Sequence, residues 1–558
     1  MRAVATLRSA IVIVCPMMLL IGPGCLDIPD EEQVANEAPA EASEALASID
    51  TRRSLAVIDL PTLGAVDENG IPRFSLKRVL TQIMATSGAS PGGGAAGLYR
   101  RIFDTNNTKA QGFVADGQHC DDIKDANGNP VLNGFPIQCP RQEGALADSS
   151  QHNPFCSGPG CDPYSPVAII NRFDLAPPDG RTCGQYRIVF GKGTGGQTPV
   201  ALAGNKVPFD RNLIIFEAVL PNPHPNHGLA GCAPVVEHWA GLSALHSSAK
   251  RGKALDRFFF KGLPGFEPAI TLGHYTGAVH PQTGALLSGQ IRTNQFMFTV
   301  GQQAWQLREF NLERACPGKK KPCVARVKLT TTKVNPSASL FDESETSAAA
   351  LTFRDPGALR GFFGQIGTLV SADITQINMN ALDPQYDTAQ STSSPTLNTP
   401  VLDDSNYGIT FNPAGPFAAN IQTRLNGMGS TLTPTEIVRR AQTQSCAGCH
   451  ELSTSTGPFF GGSPGANQLG GNLVWPDVSK GGPAVGFAPA FSHTSEVNLQ
   501  PIDPASAVVC DTACTANPLT CQCEWQISSA MVDVFLPARR DRMAAFLASL
   551  PDDTGCDD

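Results

Sequence analysis

Apolar positions along this chain follow two different periods, and the period predicts what each segment becomes. In 74–86, Leu76, Val79, Leu80 and Ile83 recur every three or four residues, so they share one face of a helix. From 166 to 330 the pattern changes to short β-branched and aromatic runs bounded by Gly, Pro and Asn. Val167 to Asn171, Tyr186 to Phe190 and Leu213 to Leu220 are such runs, and they predict strands. Leu286 to Gly301, Trp305 to Phe310 and Val324 to Thr332 alternate apolar with polar, which is the period of a strand. Trp239 to Arg257 predicts a helix between strands. Glu237-His238 and Arg308-Glu309 are adjacent pairs expected to point to opposite faces of a strand.

Further on, 356–370 reads as helical and Ala389 to Pro400 as a Thr/Ser/Pro-rich loop. Thr433 followed by Pro434 is a helix start, an N-cap with proline in the first turn. Residues 537–550 form a last amphipathic helix, with Met543, Phe546, Leu547 and Leu550 on its apolar side. The expected organisation is multidomain. A segment 1–24 is a leader and 25–50 an acidic tether. A β-rich, sandwich-like domain with disulfide-bearing loops covers 51–385, a linker covers 386–429, and a small all-α domain covers 430–558.

Length and composition agree with this division. A chain of 558 residues exceeds one ordinary core, and 54 Gly and 45 Pro against 7% aromatics imply many turns. A net charge of −9 with no basic face excludes nucleic acid as a partner. Arg2 and Arg8 precede an apolar run from Ser9 to Ile21, then Gly22, Pro23, Gly24 and Cys25, which is an export pattern. The site resembles a bacterial lipoprotein processing site with Cys25 as the lipidated residue, although Gly22 stands where a large aliphatic is expected. The resemblance implies anchoring to a membrane, on its periplasmic side or at the cell surface.

Seventeen cysteines fit an oxidising compartment. Close spacing suggests Cys120 with Cys139, Cys156 with Cys161, Cys316 with Cys323, and Cys183 with Cys232. Cys510, Cys514, Cys521 and Cys523 allow two more bridges in any of three connectivities, and Cys556 is left over.

Cys446-Ala447-Gly448-Cys449-His450 is the run with the most specific chemistry. Two thiols three positions apart, followed at once by an imidazole, are what covalent haem attachment needs. The thiols would form thioethers and His450 would reach the iron. Three other readings compete. A thioredoxin-type redox pair wants a βαβ setting that is missing, zinc wants a fourth ligand, and a structural cysteine pair beside a histidine is the bland alternative. With the helix before the motif and the terminal helix after it, 430–550 resembles a small class I c-type cytochrome. That resemblance implies one covalent haem c, single-electron transfer and a sixth iron ligand well after the motif. His493 and Met531 are the candidates for it. Met531 and Met543 both fall on apolar helical faces, where a methionine ordinarily packs in a core. A single motif excludes a dihaem peroxidase for this chain alone.

Other clusters are weaker. His224, His227, His238 and His246 lack a clear third metal ligand on a defined element, and Asp125 to Asn129 reads as an Asn-Gly turn before a calcium loop. The cysteine cluster at 510–523 fits disulfides better than zinc. The expected function is extracytoplasmic electron transfer with an unidentified redox partner protein. A stapled surface lipoprotein without haem is the main alternative, and a substrate-oxidising enzyme using the haem as its electron outlet is the third.

Overall fold

The computed structural model describes residues 49–88, 93–150, 152–155, 164–192, 212–280, 286–299, 302–316, 323–393, 406–454, 468–476, 494–511, 514–515 and 517–551. The leader and residues 25–48 of the tether, Cys25 among them, lie outside these residues, as do His493, Cys156, Cys161 and Cys556.

The alternating and β-branched runs form one antiparallel sheet. Its strands are β1 (Ala56–Val57), β2 (Tyr164–Arg172), β3 (Thr182–Lys192), β4 (Asn212–Pro221), β5 (Gln290–Thr299), β6 (Gln302–Ala315), β7 (Val324–Thr330) and β8 (Ser391–Ser393). They lie in the order β1-β2-β3-β4-β5-β6, and β6 then pairs with β8 along its first part and β7 along its second. Register follows from the pleat: Ile170 opposes Arg187, Arg187 opposes Glu217, Ile215 opposes Arg292, and Arg292 opposes Glu309.

Because side chains alternate, one face carries Tyr186, Ile188, Phe190, Ile214, Phe216, Ile291 and Phe310, all fully buried. Tyr186 stacks on Trp239 with centroids 5.4 Å apart, and Phe216 meets Tyr275 edge-on at 6.1 Å. Side chains of this size each contribute roughly 1.5–3 kcal/mol by burial. Helices α1 (Leu76–Thr86), α2 (Gly94–Asp104), α3 (Ala233–Gly241) and α4 (Ser248–Asp256) add their apolar faces to this core. Helices, not a second sheet, therefore complete the layer, so the sandwich expectation gives way to a mixed α/β arrangement among the described residues. The helix expected over Trp239 to Arg257 is two helices, because Ser247 starts a new one by accepting from the Lys250 amide. Glu237 and His238 accordingly sit on α3 and not on a strand. Arg308 and Glu309 do flank β6 on opposite faces, reaching Asn106 and Arg292 respectively.

A second core lies in 338–441. It gathers Phe341, Phe353, Phe362, Tyr407, Phe417 and Ile437 from short helices that include α5 (Phe362–Leu369), α6 (Pro416–Gly427) and α7 (Pro434–Gln442).

An all-α unit is not what 430–551 forms. It contains two antiparallel pairs, Gln468–Gly470 with Leu473–Val474 and β9 (Thr494–Pro501) with β10 (Cys523–Ile527). Its apolar positions also serve two different cores. Ile437, Val438 and Ala441 of α7 join the second, whereas Met543, Phe546 and Leu547 of α9 (Leu536–Ala548) join the first. Phe546 packs on Phe173 at 4.9 Å, Arg52 pairs with Glu524 at 2.8 Å, and the Trp525 amide donates to the Ile58 carbonyl. Helical periodicity reports which face is apolar but not which partner covers it, and here the partner is the sheet region.

Five disulfides stand among the described residues: Cys120–Cys139, Cys183–Cys232, Cys316–Cys323, Cys510–Cys523 and Cys514–Cys521. The last two select the nested connectivity of the three open for that cluster. Such bridges fit an oxidising, extracytoplasmic setting. No helix among the described residues is long and apolar enough to cross a membrane.

Candidate functional site

The second face of the sheet is not apolar throughout, and it lines a cavity. Ile170 and Arg172 from β2, Arg187 and Val189 from β3, Leu213, Ile215 and Glu217 from β4, Arg292 and Asn294 from β5, and Trp305 and Leu307 from β6 all border one cavity. Its volume is about 450 Å³, within the range of small-molecule and cofactor sites. The opposite wall comes from the cysteine motif, with Cys446, Cys449 and His450 lining it beside Thr443, Gln444 and Ser445. Phe535, Arg539 and Arg542 close one side.

Local chemistry places the motif. Thr433 and Glu436 form a reciprocal capping box that starts α7. Arg440, fully buried near the end of α7, donates to the carbonyls of Leu369, Ser371, Leu469 and Gly470 at 2.6–2.8 Å and so ties three segments together. A new helix, α8 (Cys446–Thr454), starts where Ser445 Oγ accepts from the Gly448 amide at 3.0 Å. Gly448 is required there, since a Cβ would stand 2.1 Å from the Gln442 carbonyl oxygen. The Ala447 amide then donates to Ser391 Oγ at 2.8 Å, which docks α8 on strand β8. Finally Trp305 stacks against the His450 imidazole, centroids 4.2 Å apart and planes 10° apart.

Cys446 and Cys449 carry thiols, unlike the ten disulfide-bonded cysteines of the described residues. Burial pushes the Cys446 thiol up to about 12; Arg292 opposes the rise, and Glu309 and Glu217 add to it. A protonated thiol is a poor nucleophile in disulfide exchange, so this environment protects Cys446 in an oxidising space.

The charged residues of the sheet face form a paired row. Glu217, fully buried, lies 3.1 Å from Arg187 and 3.2 Å from Arg292, and accepts from Gln290. Burial alone would raise its carboxyl, but the two arginines outweigh that and hold it ionised. Arg292 also pairs with Glu309 at 2.6 Å. Asp174, gripped by Arg172 at 2.9 Å, is brought down to about 2 because Arg172 and Arg539 together overcome its burial.

The expected sixth-ligand residues fare differently. Met531 is buried in the first core and does not line the cavity, and Met543 receives a hydrogen bond from Asn171 Nδ2 at 3.7 Å. His493 lies outside the described residues; its neighbour Thr494 borders the cavity. The histidine group splits up. His238 stacks on Phe258, His246 Nδ1 lies 3.0 Å from Arg53 Nη1, and His224 faces His227. Asp125 accepts from the amides of Asn127 and Asn129, as an Asn-Gly turn does.

What the sequence did not reveal is the sheet wall: Arg187, Glu217, Arg292 and Trp305. A signal for it existed. Arg187 and Glu217 each interrupt runs too apolar for a solvent-facing strand, and a charge in such a run must find a buried partner. Comparison of the chain with protein-family models, with curated proteins and with solved structures finds no match.

Proposed function

We propose that this chain is an exported electron-transfer protein that holds one c-type haem covalently between α8 and the sheet. The observation that carries the reading is the position of Cys446, Cys449 and His450 together on the wall of a cofactor-sized cavity. A structural cysteine pair would be bonded and backed by filled core; these two are thiols with open space beside them. The residues therefore fit the group. Cys446 and Cys449 would hold it by thioethers, and His450 would be its proximal ligand. When bound, such a group supplies a one-electron couple, whose potential the protein sets through burial and ligation.

The chain's own residues do the rest. Trp305 fixes the plane of His450 by stacking. Ile170, Val189, Leu213, Ile215 and Leu307 keep water from the middle of the cavity. Lipidation at Cys25 would keep the protein at a membrane, within reach of a redox partner protein. Electron transfer stands ahead of substrate oxidation because Glu217 and Asp174, the carboxylates lining the cavity, are both held ionised by arginines. Neither is poised near neutral pH to take a proton.

The test is production in a host with cytochrome c maturation, read by a haem-stained denaturing gel and a pyridine haemochrome spectrum. One haem per chain is expected, and none in Cys446→Ser/Cys449→Ser. A negative result from protein with its disulfides formed sinks the reading and leaves a stapled surface lipoprotein.

A further inference from the structure

The cavity carries more positive charge than its own carboxylates balance. Among the described residues, five guanidiniums line it, those of Arg172, Arg187, Arg292, Arg539 and Arg542, and the carboxylates lining it are Asp174 and Glu217. The surplus is local. Arg187 and Arg292 on the middle strands are matched by Glu217 and Glu309. At the other end, Arg172, Arg539 and Arg542 share Asp174 alone among the described residues. Arg172 grips it through Nε and Nη2 at 2.9 Å, and Arg539 Nε stands 3.7 Å away. Arg542 donates to the Ala176 carbonyl at 3.3 Å. Two positive charges are left over beside the open space.

The arrangement is costly as it stands. The Arg172 and Arg539 side chains are only 17% and 10% exposed, so water screens them poorly. Burial, and then Arg172, pull Arg539 down to about 9 against the attraction of Asp174. A cluster of mutually repelling guanidiniums persists on the wall of a cavity when it has an anion to hold. The Arg172–Asp174 fork already displays the geometry with which guanidinium meets carboxylate.

We propose that Arg172, Arg539 and Arg542 form an anion subsite that takes a doubly charged, carboxylate-bearing group. The inference goes beyond the haem reading, since it rests on charge balance and not on the cysteine motif. Two sources share the chemistry: the paired carboxylates of a bound haem, or a diffusible dicarboxylate.

The full chain, haem-loaded and as the haem-free Cys446→Ser/Cys449→Ser variant, is titrated calorimetrically with succinate at constant ionic strength, with chloride as control. The haem-free form is expected to bind one succinate saturably. Affinity should fall ten-fold or more in Arg539→Gln and in Arg542→Gln; the second residue is exposed at the cavity rim, so its variant tests the site without risk to the fold. In the haem-loaded chain, loss of succinate binding together with a lower midpoint potential in Arg539→Gln assigns the subsite to the cofactor's carboxylates. Retained binding assigns it to a diffusible ligand. Absence of saturable binding to the haem-free form, or binding that neither arginine variant weakens, overturns the proposal. Should no haem attach in the maturation host, the haem reading falls while the succinate titration still decides the subsite.

Discussion

The two faces of the one sheet are built from the same strands but differ in their balance of apolar and charged side chains. On the core face, Phe216 is surrounded by Phe190 and Tyr275, and the buried charges of that face, Arg308 and Glu143, are held by Asn106 and by Asn212 and Thr293. One residue later, Glu217 projects to the cavity face between two arginines. Apolar burial stabilises without needing a particular partner, whereas a buried ion pair roughly breaks even against an apolar replacement. The fold therefore has no need of the cavity face's charges for stability. The cavity face gathers four charged strand residues, Arg172, Arg187, Glu217 and Arg292, on the lining of the cavity that the cysteine motif also lines, and the proposed cofactor accounts for their position better than stability does.

Three experiments break or sharpen this contrast, beginning with the largest effect. Phe216→Ala should cost roughly 3–5 kcal/mol in denaturant unfolding, the usual result of emptying a packed aromatic site. A loss below 1 kcal/mol would mean that the core face is not the main source of stability.

The second concerns pH on the core side. His238, stacked on Phe258 behind Tyr186, is pulled down to about 4 from 6.5, first by burial and then by Arg257. The unfolded chain thus binds this proton more readily than the native one. Stability is intact above pH 6.5 and is lost as pH falls toward 4, by up to about 3 kcal/mol. His238→Gln should flatten that part of the pH profile, and an unchanged slope in the variant would refute the assignment. Asp174 on the cavity face is likewise pulled down, to about 2, but there Arg172 and Arg539 overcome burial and favour the charged form, whereas burial keeps His238 neutral.

The smallest effect is expected from Glu217→Gln. Glutamine keeps an acceptor for Gln290 and the arginines, and Glu309 still balances Arg292, so the change should cost roughly 1–3 kcal/mol, less than Phe216→Ala although the two residues are neighbours. In the haem-loaded protein the same change should raise the midpoint potential, because positive charge is left behind near the motif. An equal or larger stability loss than in Phe216→Ala would erase the distinction between the faces.

Much of the local structure was legible. The strands at Tyr186 and Leu213, the helix over Leu76 to Ile83 and the Thr433 helix start each follow from a period or a cap that neighbouring residues supply. Four of the disulfide-forming segments were legible too, since close cysteines seldom have other choices. The sheet wall was not. Arg187 and Arg292 share Glu217 through strand register; the apolar runs around Arg187 and Glu217 call for a buried partner but do not say which one. The strand pair and the divided packing of the last segment were not legible for a related reason. Met543 and Phe546 have helical spacing in any fold, but whether they cover a haem or the sheet region depends on residues hundreds of positions away.

By itself, then, the sequence determined which residues carry the motif, Cys446, Cys449 and His450, the export pattern and the period of each element, because these depend on residues a few positions apart. Tertiary structure alone decided that α8 faces the polar side of the sheet, that Trp305 stacks on His450, and that five arginines from the sheet and the last helix gather around one cavity. Those are long-range juxtapositions, fixed by strand register and by which apolar faces find each other, and no local pattern encodes them.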